Sequence, residues 1–166
     1  MAQILRLDGL TINFVSAAMV AGTTSTYTTT VTTAGLVNGK FVTTLGAQTN
    51  TASPTTDANT GAAFTALSAN KTCALVFGQT AAGAIKLVQG PIIDTYTGVT
   101  TTVGAFKDAP QFPPLPDDFL PLAYTLVRTA PDAAAWTPGT SSWTASGVSA
   151  TTFKNIGVLP NRPQIA

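Results

Sequence analysis

The chain has 166 residues and a formal net charge of +1; only 9% of its residues are charged, and threonine fills nearly a fifth of it. At this length folding hides roughly two-thirds of the unfolded chain's surface, enough for one hydrophobic core without covalent staples. Ordinary soluble domains are about 25% charged, so much of this polar surface must be hydroxyl and amide. The scattered lysines and arginines give no cluster for phosphates, so nucleic acid is not an expected partner; no window holds the roughly 18 unbroken apolar residues of a membrane helix, so neither is a membrane.

The elements follow in chain order. Leu10 to Gly22 is apolar enough to mimic a leader, but Asp8, Thr11, Asn13 and Ser16 interrupt it and one arginine precedes it, so an extended strand or arm is expected. Between Ile4 and Phe14 one face carries Ile4, Arg6 and Asp8, then Leu10, Ile12 and Phe14, and the alternation is clean only after Gly9. Such a segment either adds to a neighbouring sheet edge or pairs within its own domain. The chain therefore divides into residues 1–25, an N-terminal arm or edge strand, and residues 26–166, a single β domain.

From Tyr27 to Thr33 one face carries Tyr27, Thr29 and Val31 and the other only threonine, as in a strand with one wet side. Asn38-Gly39 suits a two-residue hairpin turn with positive φ at both positions, which sets Leu36 opposite Phe41 on the core face. Gly46 to Gly61 buries little apolar area and reads as a long surface loop. A hairpin is expected next, from Phe64–Leu67 through Ser68-Ala69-Asn70 into Lys71–Phe77, whose near-continuous apolar run predicts a strand covered on both faces. A turn from Gly78 to Gly83 leads to a strand from Ala84 to Val88, and another runs from Pro91 to Tyr96.

Residues 109–121 hold a proline-rich crossover with five prolines; prolines remove ladder donors and fix φ, so Ala109 to Pro116 is expected to be extended and not a central strand. Phe119, Leu122, Tyr124 and Leu126 then open a strong strand ending near Arg128. A short helical turn is predicted around Asp132 to Trp136, where Pro131 and Asp132 start it. Trp136 to Trp143 is a turn between aromatic anchors, and Pro160 to Ile165 is a tail. Short alternating runs between turn residues give the fold class: all-β, an antiparallel β-sandwich or jelly-roll-like barrel with an extended N-terminal segment.

Histidine and glutamate are absent, which removes the commonest general base, the commonest transition-metal ligand and the nucleophile–histidine arrangements. Asp117 and Asp118 are adjacent, and in an extended chain they point to opposite faces rather than converging on a bond. Ser68-x-x-Lys71 matches an acyl-transferase motif that requires a helix, and here it falls in a turn. Asp57 with Asn59 offers a cation one carboxylate, too few to favour calcium. Trp136 and Trp143 read as loop anchors rather than a sugar platform. Asn70-Lys71-Thr72 matches a glycosylation acceptor, which matters only on a secretory route. Cys73 sits in an apolar run and is expected to be inert. No enzyme activity, cofactor or metal is expected.

The run Leu115-Pro116-Asp117-Asp118-Phe119-Leu120-Pro121-Leu122-Ala123-Tyr124-Thr125-Leu126-Val127, with Trp136-Thr137-Pro138-Gly139-Thr140 and Ala145-Ser146-Gly147-Val148, resembles small virion proteins of tailed bacteriophages. So do Val37-Asn38-Gly39-Lys40, the stretch from Ala66 to Cys73, and Gln89-Gly90; together these span most of residues 27–160. They look like the capsid decoration, or cement, proteins. The resemblance implies a β-rich body on the capsid's outer surface, often trimeric, that stabilises the virion by bridging subunits of the major capsid protein. A homotrimer also suits a threonine-rich chain with few charges to block edge pairing. The N-terminal stretch and the crossover lie outside the match. The capsid or subunit contact is expected at Ile4, Leu5, Leu7, Leu10, Ile12 and Phe14, with Arg162 and Ile165 from the tail. The alternative is a tail-fibre, baseplate or receptor-binding module meeting a host glycan through the loops Gly46 to Gly61 and Trp136 to Trp143; a depolymerase with aspartates assembled across strands is more distant.

Overall fold

The computed structural model describes residues 9–150 and 152–165. Among these the fold is all-β with no helix, and its strands form three antiparallel sheets packed as in a sandwich; none closes into a barrel, which removes the barrel alternative. One small sheet joins β1 (Ile12–Asn13), β4 (Gly35–Val37) and β5 (Lys40–Phe41). A second joins β2 (Val20–Ala21), β3 (Thr26–Thr29) and β6 (Gln48–Ala52). The large sheet is built on β7 (Lys71–Thr80) and β10 (Phe119–Thr129). It adds β8 (Ile85–Gln89) and β9 (Ile93–Asp94) beside β7, and β11 (Val148–Ser149) and β12 (Phe153–Asn155) beside β10.

β7 is buried from Thr72 to Gln79, as its apolar run predicts. Alternation sends Cys73, Leu75 and Phe77 to one face, where they join Leu87, Leu122 and Val127 in the main core; Val76 goes to the other, with Val88, Phe119 and Tyr124. Each fully buried Leu or Phe contributes about 1.5–3 kcal/mol relative to exposure. On the first face Phe77 meets Tyr27, Trp143 and Phe153 with ring centroids 5.9, 6.1 and 5.5 Å apart. The second face is covered by the proline-rich crossover, whose Phe112 stands edge-on to Tyr124 at 4.9 Å.

Pro121 lies within β10, and the ladder tolerates it because the register shifts between Pro121 and Ala123. A bulge is where a residue without an N–H fits a sheet interior. The extra residue also puts Leu122 and Ala123 both in the main core while Tyr124 stays on the other face. Gly78 is the partner of Pro121, and a Cβ there would lie 2.6 Å from Leu120 O and collide with the Phe119 ring.

Several expectations are corrected. Part of the Gly46 to Gly61 loop is strand β6, which pairs with β3; threonine's branched Cβ suits a pleated backbone even where little area is buried. β3 ends at Thr29 and leaves Val31 exposed, because Thr30 N–H turns to Ala17 O. Phe64–Leu67 does not pair with β7: Leu67 and Trp136 exchange both main-chain hydrogen bonds, at 2.8 and 2.9 Å. The same exchange holds Trp136 extended, so only a turn closed by Ala133 N–H on Ala130 O stands where a helix was predicted. Three alanines are too few to nucleate a helix against that pairing. The strand over Pro91 to Tyr96 shrinks to Ile93–Asp94 plus a bridge from Thr95 to Phe106.

The Gly78 contact yields a first prediction. Gly78→Ala should destabilise the fold by about 1–3 kcal/mol through overpacking against Phe119; urea denaturation followed by tryptophan fluorescence would measure it, and an unchanged midpoint would show that the strands separate freely there.

Candidate interaction surface

The expected contact residues fall into three groups. Ile4, Leu5 and Leu7 lie outside the described residues. Leu10, Ile12 and Phe14 run along the edge of the first small sheet, where Ile12 pairs with Leu36 and Asn13 with Gly35. Leu10 O accepts Gly39 N–H at 2.8 Å, and Phe14 N–H reaches Ala34 O at 2.8 Å. Arg162 and Ile165 belong to the tail, both exposed, and Gln164 N–H donates to the Tyr124 hydroxyl at 3.1 Å.

Side-chain amides bind the N-terminal segment to the C-terminal part of the chain. Asn13 Nδ2 donates to Ile156 O, while Asn155 accepts Met19 N–H at 2.6 Å and donates to Met19 O at 3.0 Å. Asn155 thereby imitates the paired N–H and C=O of a strand. Ala17 and Met19 are fully buried in the main core.

Phe14 is 52% and Phe41 80% exposed, and their rings meet edge to face at 6.3 Å. The Asn38-Gly39 turn has the expected geometry, φ 50° and 76°, and Leu36 does face Phe41 in register. The expectation that Phe41 lies on the core face is corrected: β5 is a two-residue edge with no further strand beyond it among the described residues, so Leu36 is buried while Phe41 is exposed beside Phe14. An alternation rule cannot see where a sheet ends. The only sequence trace of this exposed aromatic pair is how soon Thr43 and Thr44 follow Phe41 and Val42.

The residues weighed for chemistry are separated or engaged. Trp136 and Trp143 are buried, 5.4 Å apart; Trp136 Nε1 donates to Ser142 O and Trp143 Nε1 to Thr26 O, so they anchor the loop and present no sugar platform. Asp117 and Asp118 lie exposed at a turn. Lys71 pairs with Asp94, and this hydrogen bond and charge hold the Asp94 carboxyl below its ordinary range. Asp57 caps the edge of β8: Oδ2 accepts Gln89 N–H at 2.8 Å, and Oδ1 accepts the N–H groups of Asn59 and Thr60. It borders a cleft of about 510 Å³ with Phe64, Gln89, Pro91 and Pro113. Among the described residues no three of His, Cys, Asp or Glu converge, and no helix is long and apolar enough to cross a membrane.

No family model, curated protein or solved structure matches this chain.

Two predictions follow from these placements. Asp57→Ala leaves the part-buried Gln89 N–H without its acceptor, while those of Asn59 and Thr60 turn to water, and should cost about 1 kcal/mol, read as a lower denaturation midpoint; a midpoint equal to that of the parent would mean the β8 edge needs no cap. Cys73 is fully buried, and desolvation pushes its thiol up to about 12. The fold therefore loses stability as pH rises from the thiol's ordinary range toward that value, since only the unfolded chain ionises there. At neutral pH Cys73 should react with a thiol reagent only at the rate of unfolding, so rapid labelling of the native protein would contradict its burial.

Proposed function

We propose that this protein is a structural subunit of a tailed-bacteriophage virion that decorates the outer face of the capsid, as a homotrimer, and stabilises it by bridging major capsid subunits. The observation that carries the reading is the exposed pair Phe14 and Phe41, at the sheet edge where the N-terminal segment enters, on a chain with few charges. Exposed apolar patches on soluble domains mark interaction surfaces. A neutral, hydroxyl-rich exterior suits dense packing in a lattice, where many copies of one strong charge would repel. The resemblance of the segments from Leu115 to Val127 and Trp136 to Thr140 to decoration proteins supplies the particular assembly.

A subunit that binds only the assembled shell stabilises it by mass action. Particles lacking the protein should lose integrity at lower temperature than complete ones; equal resistance to heating and chelation would remove the cementing role. Phe41→Ser, being exposed, should leave the fold intact and weaken particle binding by about 2 kcal/mol or more, as truncation of an interface anchor does. Full occupancy by that variant, counted by electron microscopy, would move the contact elsewhere, and density at the tail instead of the capsid lattice would favour the receptor-binding alternative.

A further inference from the structure

Asn38 holds three segments together at one point. Its Nδ2 donates to Asp117 O at 3.0 Å, its main-chain N–H reaches Thr11 Oγ1 at 3.3 Å, and the next N–H, of Gly39, donates to Leu10 O at 2.8 Å. The residue is solvent-exposed and followed by glycine, the neighbour that least hinders attack on an asparagine side chain. Both the attacking nitrogen and the leaving amide nitrogen are engaged in the closed structure.

We infer that Asn38 is a deamidation site guarded by the docked Leu10–Thr11 segment, so that its rate of conversion reports, irreversibly, the fraction of time that segment is lifted from β4. In the reaction the Gly39 main-chain nitrogen attacks Asn38 Cγ; the Gly39 N–Cγ bond forms, the Cγ–Nδ2 bond breaks, and ammonia leaves carrying the Gly39 proton. Water then opens the resulting succinimide at either carbonyl, giving aspartate or isoaspartate. While Gly39 N–H is bonded to Leu10 O, its proton and nitrogen are withheld; while Nδ2 is bonded to Asp117 O, the side chain is held on that carbonyl. The left-handed φ values of both residues fix the turn further.

The products cannot close the latch again. An aspartate at this position replaces the donor facing Asp117 O with a second acceptor, and two acceptors facing one another repel. An isoaspartate adds a methylene to the main chain of a two-residue turn whose length sets the Leu36↔Phe41 register. Either change lowers the stability of the edge that presents Phe14 and Phe41.

The test is peptide mapping by mass spectrometry of the full chain aged at mildly alkaline pH, natively and in denaturant, with amide exchange followed in parallel. Native deamidation at Asn38 should be slower than in the unfolded chain by about tenfold or more, a factor that corresponds to about 1.4 kcal/mol of opening. Asn38→Asp should raise exchange at Asn13, Phe14 and Gly39 while the buried tryptophans keep their near-ultraviolet signal. If Asn38→Asp does not fold, Asn38→Gly keeps the turn without the amide and should show the same local loosening. Equal native and unfolded deamidation rates, or unchanged exchange at these three amides in the folded variant, would overturn the inference.

Discussion

The pairing of β7 with β10 is the constraint on which the other elements depend. Both strands are buried on two faces, so every neighbouring segment is recruited to cover one of them: the aromatic cluster around Phe77 on one side, the crossover with Phe112 on the other. Covering both faces with a chain poor in long strands requires many short ones, which explains the two small sheets and the isolated bridges. The bulge at Pro121 adjusts the fit, since it lets a residue without a donor sit in the ladder and turns two consecutive side chains into the core.

Scarcity of charge shapes how the loops are fastened. Charged networks are not available, so neutral side chains stand in for missing strand partners. Gln79, fully buried in β7, accepts the Thr33 hydroxyl and donates to Thr43 O, which links the first half of the chain to the large sheet. Thr129 accepts Lys71 N–H and donates to Ser68 O, closing the entry to β7. Asn155 does the same for Met19. A buried amide or hydroxyl must be satisfied, and each of these pairs segments that no apolar pattern would bring together.

The edge of the first small sheet differs in kind. β5 is too short to carry a layer above it, so the hairpin that places Leu36 in the core also lifts Phe41 out, and Phe14 leans against it. The arrangement joins an exposed aromatic pair to the turn at Asn38, so the geometry of the turn and the presentation of the patch are one structural unit.

By itself, the sequence determined the features that rest on local chemistry. Asn38-Gly39 prefers positive φ wherever it occurs, the near-continuous apolar run within Lys71–Phe77 demands cover on both sides, and prolines between Ala109 and Pro116 exclude a ladder; all three are found in the structure. Only the tertiary structure decided the rest. Leu67 took Trp136 as partner instead of β7, the alanines before Trp136 formed no helix, a polar stretch became β6, and Phe41 emerged from the face that alternation assigned to the core. Each of these depends on which distant main-chain groups are left to bond and on where a sheet ends, and neither quantity is written in the spacing of residues along the chain.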